Sequence, residues 1–409
     1  MEDRACHQAR PPGTGEPRTA LGVNDIFRAH GEAYRRDYVL TSVQAAVMRA
    51  IEVCRTAVLG GHRYVCPDCD YTRPMYNSCR NRHCPKCQSL SQAKWIESRL
   101  DRVLDVPHFH LVFTLPHEIN VIAMRNAAFV YDLLFDSASG ALLRIAADPE
   151  HLGAQPGVTM VLHTWTRDLQ LHPHIHAIVT GGGLVPGTGR WIATPPGFFL
   201  PVFVLADLLR GKVLAGLRAA YDRGDLDLGG ACASLADPAV FKRLLDGLYT
   251  KKWVVYAKRA FGGAEQVIRY LGRYTHRTGI SNQRILSMDD QAVRFRTRGD
   301  KVAPLAPAEF IRRFLLHVLP KGFVKIRHFG LLASGNVNTR LVAARRTLGA
   351  EDPPPRPRLG WREHLFRLTG FDPTRCPCCG GNLVSRALAD PRAEPVMLDR
   401  PAPMAENSS

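Results

Sequence analysis

The spacing of apolar positions changes character along the chain. Val43, Val47, Ala50, Ile51 and Cys54 recur at helical intervals, and Thr41 with Gln44 stands before them as a capping box. From residue 106 to about 330, short strand-like runs alternate with helical ones. Residues 108–115, 158–164 and 174–179 read as strands, and 310–318 as a helix. That mixture predicts an α+β fold around an antiparallel sheet. Polar, Pro/Gly-rich residues 1–22 and the Pro/Ala-rich tail read as disordered, and residues 352–358 as a stiff linker. No internal repeat is present.

Composition narrows the partner. Lys and Arg number 54 against 37 Asp and Glu, a net charge of +17. Such an excess favours a polyanion, nucleic acid first, over an anionic lipid surface or a merely basic soluble protein. No apolar run reaches the ~18 residues of a membrane span, and residues 1–19 lack the features of a signal peptide. The expected location is therefore the cytoplasm, where thiols stay reduced. The 11 cysteines then read as metal ligands before disulfides.

Residues 66–87 carry CPDC, nine further residues, then CRNRHCPKC. Two Cys-x-x-Cys knuckles with fourteen residues between them match a four-thiolate zinc ribbon of Cys66, Cys69, Cys84 and Cys87. A closed thiolate shell makes that zinc structural. Cys54, His62, Cys79 and His83 can hold a second zinc or serve as packing and surface residues. Arg80, Arg82 and Lys86 beside the knuckles are candidate phosphate contacts. The C-terminal Cys376, Cys378 and Cys379 form half a site, either completed by a histidine elsewhere or left as an unmetallated turn.

Residues 172–183 read HPHIHAIVTGGG. His174 and His176 alternate along a strand, so both imidazoles leave one face, a pattern suited to a divalent ion with open positions. His163 lies eleven positions before His174, and a hairpin would bring it in as a third ligand. His108 and His110 share a face of an earlier strand, as supporting groups or as ordinary core or surface histidines. Residues 265–276 read EQVIRYLGRYTH and place Tyr270 and Tyr274 on one helix face. A tyrosine oxygen can attack phosphorus and conserve bond energy in a phosphotyrosine, with Arg269, Arg273 and Arg277 as nearby cations. Spacing alone also allows a helix that simply packs two aromatics.

Taken together, these segments resemble a known family. HPHIHAIVTGGG resembles the HUH motif (His, hydrophobic, His) of single-strand DNA nucleases. YLGRYTHRTGISNQRI resembles the tyrosine motif of the insertion sequence ninety-one family of transposases. The cysteine segment, HFHLVFTLPHEI and FLLHVLPKGFVKIRHFG resemble further blocks of that family, in the same order, over about residues 25 to 385. The resemblance implies a palm-like antiparallel sheet with flanking helices, preceded by a small helical and zinc-ribbon domain. It implies catalytic Mg²⁺ or Mn²⁺ on His174 and His176, with His163 added by analogy to relaxases, and Tyr270 and Tyr274 as nucleophiles. Whether both tyrosines are needed stays open, since some relatives keep one.

The implied activity is nicking and joining of single-stranded DNA at element ends in rolling-circle-type transposition. Target DNA, host replication proteins and, because no Walker motif is present, a host helicase are the implied partners. The rivals are a plasmid replication initiator or relaxase with the same chemistry, and a non-catalytic zinc-ribbon DNA-binding regulator. The expected domains are a disordered 1–22, a zinc-binding DNA-recognition domain at 23–100 and a catalytic domain at 101–335. A linker at 336–360, a small cysteine module at 361–388 and a disordered tail at 389–409 complete the chain.

Overall fold

The structure, a computed structural model, describes residues 21–195, 197, 199–259, 264–276, 279–350 and 359–388. The lead-in at 1–20, the linker residues 352–358 and the tail at 389–409 lie outside the described residues.

The chain begins with helices α1 (Val23–Asp37) and α2 (Ser42–Glu52). The expected box caps α2: Thr41 Oγ1 accepts from the Gln44 amide at 3.2 Å, and Gln44 Oε1 accepts from the Thr41 amide at 3.1 Å. A hairpin of β1 (Gly61–Val65) and β2 (Thr72–Tyr76) leads to α3 (Gln88–Leu100). Next come β3 (His108–Thr114), α4 (Asn120–Arg125), α5 (Ala127–Ala147), β4 (Gly157–Trp165) and β5 (Leu171–Thr180). A small hairpin, β6 (Gly182–Leu184) and β7 (Trp191–Ala193), precedes α6 (Val202–Asp222), α7 (Pro238–Thr250), β8 (Val254–Arg259) and α8 (Ala264–Thr275). Then follow β9 (Ile285–Met288), β10 (Val293–Arg296), β11 (Val302–Leu305) and α9 (Pro307–Leu315). The last elements are β12 (Ile326–Gly330), α10 (Arg340–Thr347), α11 (Trp361–Thr369) and β13 (Val384–Ala387).

The central sheet is antiparallel throughout, in the order β12-β4-β5-β3-β8. Alternation divides its side chains between two faces. Phe109, Leu111, Phe113, Met160, Leu162, Ile175, Ala177 and Val179 are buried in the main core with Leu134, Phe135 and Leu142 of α5 and Leu205, Leu209 and Leu217 of α6. The opposite face carries histidines. There α8 and α3 close over the sheet, and Val161, Ile178 and Val267 form a small apolar cluster with Trp95 and Ile326. The fold is thus the expected α+β arrangement of antiparallel sheet and flanking helices.

Domain boundaries differ from the expectation. Helices α1 and α2 share one core with α9 and the β9–β11 sheet, through Phe27, Ile51, Phe295, Phe310 and Phe314. Residue 100 therefore does not end a separate unit. The expected linker includes a helix, α10, whose Leu341 and Ala344 are buried against Leu104 and Leu331. The C-terminal cysteine module is not separate either: β13 adds to β1 as the third strand of the N-terminal sheet.

Candidate active site and metal centres

The histidine face is set by strand register. His163 of β4 and His174 of β5 are direct partners, and His176 sits opposite Val161 on one side and Val112 of β3 on the other. One ligating nitrogen from each of His163, His174 and His176 falls within 4.8 Å of the others. His174 Nδ1 lies 2.7 Å from the His172 carbonyl oxygen, so it carries the proton and leaves Nε2 as a free lone pair. Burial keeps the His174 and His176 rings neutral. The His174 pKa is lowered to about 4, and that of His176 is held well below the usual histidine range, with His174 and His110 adding charge repulsion. Neutral imidazoles, with the His174 tautomer set by the His172 carbonyl, are the form a cation needs, so the residues fit a divalent ion.

His110, on β3, belongs to this cluster. Its Nε2 stands 2.8 Å from His176 Nδ1, the two rings stack at 5.1 Å, and the Tyr270 ring meets His110 edge-on at 5.8 Å. Tyr270 therefore projects from α8 onto the histidine-bearing face and remains partly exposed. Tyr274 lies one turn on in α8; its side chain and that of Arg273 are outside the described residues, as is Arg277 altogether. Arg269 is exposed and pairs with Glu265 at 2.6 Å.

Sequence reasoning missed two groups here. Tyr256 and Lys258 of β8 pair with Val112 and His110, so they share the histidine face. Their two-residue spacing was the available signal. His108 is a structural group: it is buried, and its Nδ1 lies 2.8 Å from the Val106 carbonyl oxygen.

Helix α3 backs the tyrosine helix. A Cβ at Gly272 of α8 would stand 2.4 Å from Cγ1 of Ile96, so the helices meet where Gly272 has no side chain. Trp95 of α3 tilts against His276 at 6.2 Å. Behind α3 lies α11, and Glu97 of α3 accepts hydrogen bonds from the Leu359 amide at 3.2 Å and from His364 Nε2 of α11 at 3.1 Å.

The cysteines assemble differently from the expected ribbon. Cys66, Cys69, Cys84 and Cys87 do not share a site. Cys54, Cys79, Cys84 and Cys87 form one cluster, and Cys66, Cys69, Cys376 and Cys379 form another. The β1–β2 hairpin explains the split. Cys54 and Cys79 flank its base, where the Arg55 amide donates to the Asn77 carbonyl at 3.1 Å. The CPDC turn sits at its tip, and five residues of strand carry that turn roughly 16 Å from the base. The first cluster stands immediately before α3, with Cys87 as its N-terminal flanking residue. Cys87 Sγ lies 3.5 Å from Cys54 Sγ and 3.6 Å from Cys79 Sγ. The same mutual hydrogen bonds lower the Cys87 thiol and raise those of Cys79 and Cys84, as four thiols converging on one point compete for protons.

His62 and His83 join neither cluster. His62 is exposed on β1. His83 is buried, and its Nε2 accepts from the Leu319 amide at 3.1 Å. Of the candidate phosphate contacts, Arg80 is exposed and Lys86 half-buried. Arg82 donates to the Phe323 carbonyl at 2.7 Å and is partly committed to the fold. Among the described residues no helix is long and apolar enough to cross a membrane.

A family model described as "Putative transposase" matches residues 157–340, and one described as "Transposase zinc-binding domain" matches residues 26–115. Among known proteins, "Putative transposase y4qJ" of Sinorhizobium fredii (strain NBRC 101917 / NGR234) is 48% identical over 372 residues, 88% of this chain and 94% of the relative. "Transposase for insertion sequence element IS801" of Pseudomonas savastanoi pv. phaseolicola is 27% identical over 359 residues, 85% of this chain and 84% of the relative. No solved structure matches. The three histidines and α8 fall within the first matched span and the cluster of Cys54, Cys79, Cys84 and Cys87 within the second, whereas Cys376 and Cys379 fall in neither.

Proposed function

This chain belongs to the insertion sequence ninety-one family of transposases, and from that premise we propose that it nicks and rejoins single-stranded DNA at the ends of a mobile element through a 5′-phosphotyrosine. The observation that carries the reading is the contact chain from Tyr270 through His110 to His176, which sets a nucleophile beside three converging imidazoles.

The residues divide the work as follows. The phenolic oxygen of Tyr270 or Tyr274 attacks the scissile phosphorus in line. The tyrosyl O–P bond forms as the phenol gives up its proton, the P–O3′ bond breaks, and the departing 3′ oxygen takes up a proton to become a hydroxyl, so no net proton is gained or lost. A 3′-hydroxyl of another strand later attacks the phosphotyrosine, restores a phosphodiester and frees the tyrosine. Two tyrosines one turn apart would let one hold a strand while the other receives the next. His163, His174 and His176 would hold a divalent ion that supplies positive charge against the phosphate oxygens. Mg²⁺ holds to oxygen donors and dehydrates reluctantly, so of Mg²⁺ and Mn²⁺ an all-imidazole set favours Mn²⁺. His110 fixes the orientation of His176, while Tyr256 and Lys258 extend the same face toward the flanking strand.

Structural zinc belongs with the N-terminal zinc-binding domain. We assign one ion to Cys54, Cys79, Cys84 and Cys87, where it would fix the start of α3 and so the support of α8. The net charge of +17 supplies backbone attraction that weakens as salt rises. Host replication proteins, including a helicase, would deliver the single strand.

Incubating the protein with labelled single-stranded element ends and Mn²⁺ or Mg²⁺ tests the reading. A labelled adduct that survives denaturation and requires the ion is expected. Metal-independent binding with no adduct on either element end would instead support a non-catalytic regulator.

A further inference from the structure

We infer that Cys66, Cys69, Cys376 and Cys379 form a second zinc site, a clasp that fastens the C-terminal segment to the N-terminal hairpin. The site joins two turns of like sequence, CPDC at 66–69 and CPCC at 376–379. Cys66 Sγ lies 3.4 Å from Cys379 Sγ, and Cys69 Sγ 3.6 Å from Cys376 Sγ, with all four sulfurs within 4.8 Å. A tetrahedral shell with Zn–S bonds of about 2.3 Å has sulfur edges of about 3.8 Å, so the four thiols already stand close to ligand geometry. The second turn also presents backbone donors to its sulfurs. The Cys378 amide points to Cys376 Sγ and the Gly381 amide to Cys379 Sγ, each at 3.4 Å. Such contacts stabilise thiolate charge. Cys378 is exposed and outside the cluster.

The surroundings are built around this closure. β13 pairs with β1 from Val65↔Val384 to His62↔Ala387. Phe371 meets Tyr64 edge-on at 6.2 Å and lies under the Arg73 guanidinium at 4.5 Å. Cys69 and Cys376 are 307 positions apart, so the ion would remove the entropy of a very long loop from the unfolded chain. The same closure holds α11 on α3 through His364 and Glu97, and α3 backs the tyrosine helix. The clasp would thus tie both chain ends to the element that positions Tyr270.

The test measures zinc, and its outcome is independent of strand-transfer activity. Full-length protein purified under reducing conditions without chelator should hold about two equivalents of zinc. The double variant Cys376→Ser/Cys379→Ser should hold about one, and so should Cys79→Ser, which removes a ligand of the other site. Thiol labelling of the unsubstituted protein, read peptide by peptide, guards against misfolded variants. Cys378 should label at once, while Cys66, Cys69, Cys376 and Cys379 should be protected as a set and become reactive together when a chelator strips zinc. A zinc content unchanged by the double substitution would overturn the inference, as would labelling of Cys376 and Cys379 as fast as Cys378. Recovery of Cys66–Cys379 or Cys69–Cys376 disulfides in place of zinc from the protein as purified, before any chelator is added, would overturn it too.

Discussion

His110 Nε2 stands 2.8 Å from His176 Nδ1, and the same His110 ring receives the edge of Tyr270. If His176 ligates through Nε2, its Nδ1 proton points at His110, which then accepts with Nε2 and keeps its own proton on Nδ1. His110 would then be a positioning residue whose effect passes through His176.

Replacing it should therefore weaken the ion more than the fold. His110→Ala should loosen Mn²⁺ binding by about 10- to 100-fold with zinc content and melting cooperativity retained. Direct titration of Mn²⁺ by electron paramagnetic resonance would show this. An unchanged Mn²⁺ affinity would mean that the contact orients nothing.

The contact between Gly272 and Ile96 makes a second prediction. A side chain at residue 272 must push α3 away from α8, because a Cβ there would already stand 2.4 Å from Ile96 Cγ1. Gly272→Leu should slow adduct formation by about 10- to 100-fold, the scale of an ångström-size misplacement, while leaving both zinc equivalents bound. The paired variant Gly272→Leu/Ile96→Ala, which reopens the space, should recover part of the rate. Equal rates for wild type and Gly272→Leu would show that α3 does not set the position of α8.

Buried histidines predict how stability changes with pH. His317 donates from Nε2 to the Leu169 carbonyl at 3.2 Å, and its Nδ1 lies 3.2 Å from Thr164 Oγ1. Burial lowers its pKa to about 4, and does the same to His108 and His328. The folded state therefore disfavours the imidazolium. Between the unfolded value of about 6.5 and the folded value the unfolded chain binds more protons. The stabilisation is complete above pH 6.5 and is lost as pH falls toward 4, at up to about 1.4 kcal/mol per pH unit for each such histidine. Melting temperatures followed from pH 7.5 to 4.5 should fall, and His317→Gln should lower the curve while flattening its slope. A slope that His317→Gln leaves unchanged would contradict this account.

The central sheet and its histidines were legible because local rules settle them. Period-two alternation marks a strand face, and the eleven-residue step from His163 to His174 allows the hairpin that the register shows. The cysteine partition was not legible. Both knuckle pairings satisfy the same spacing rule, and the choice between them rests on a hairpin that separates its tip from its base and on a strand pairing between β1 and β13 across the whole chain. The shared core of α1, α2 and α9 escaped for the same reason: amphipathic periodicity says that a face is buried but not against what. The helix expected at 310–318 forms at Pro307–Leu315 because Pro307, already fixed near helical φ, occupies its first turn.

The nucleophile itself can be read from the adduct. Arg269, Arg273 and Arg277 place trypsin sites so that Tyr270 leaves in the peptide YLGR and Tyr274 in YTHR. Mass spectrometry of the digested, nuclease-trimmed adduct should find the nucleotide on one or both of these peptides. Tyr270→Phe and Tyr274→Phe should each remove it only from their own peptide, and the double variant should form no adduct while still binding single-stranded DNA. A nucleotide on any other peptide, or an adduct that persists in the double variant, would contradict the account.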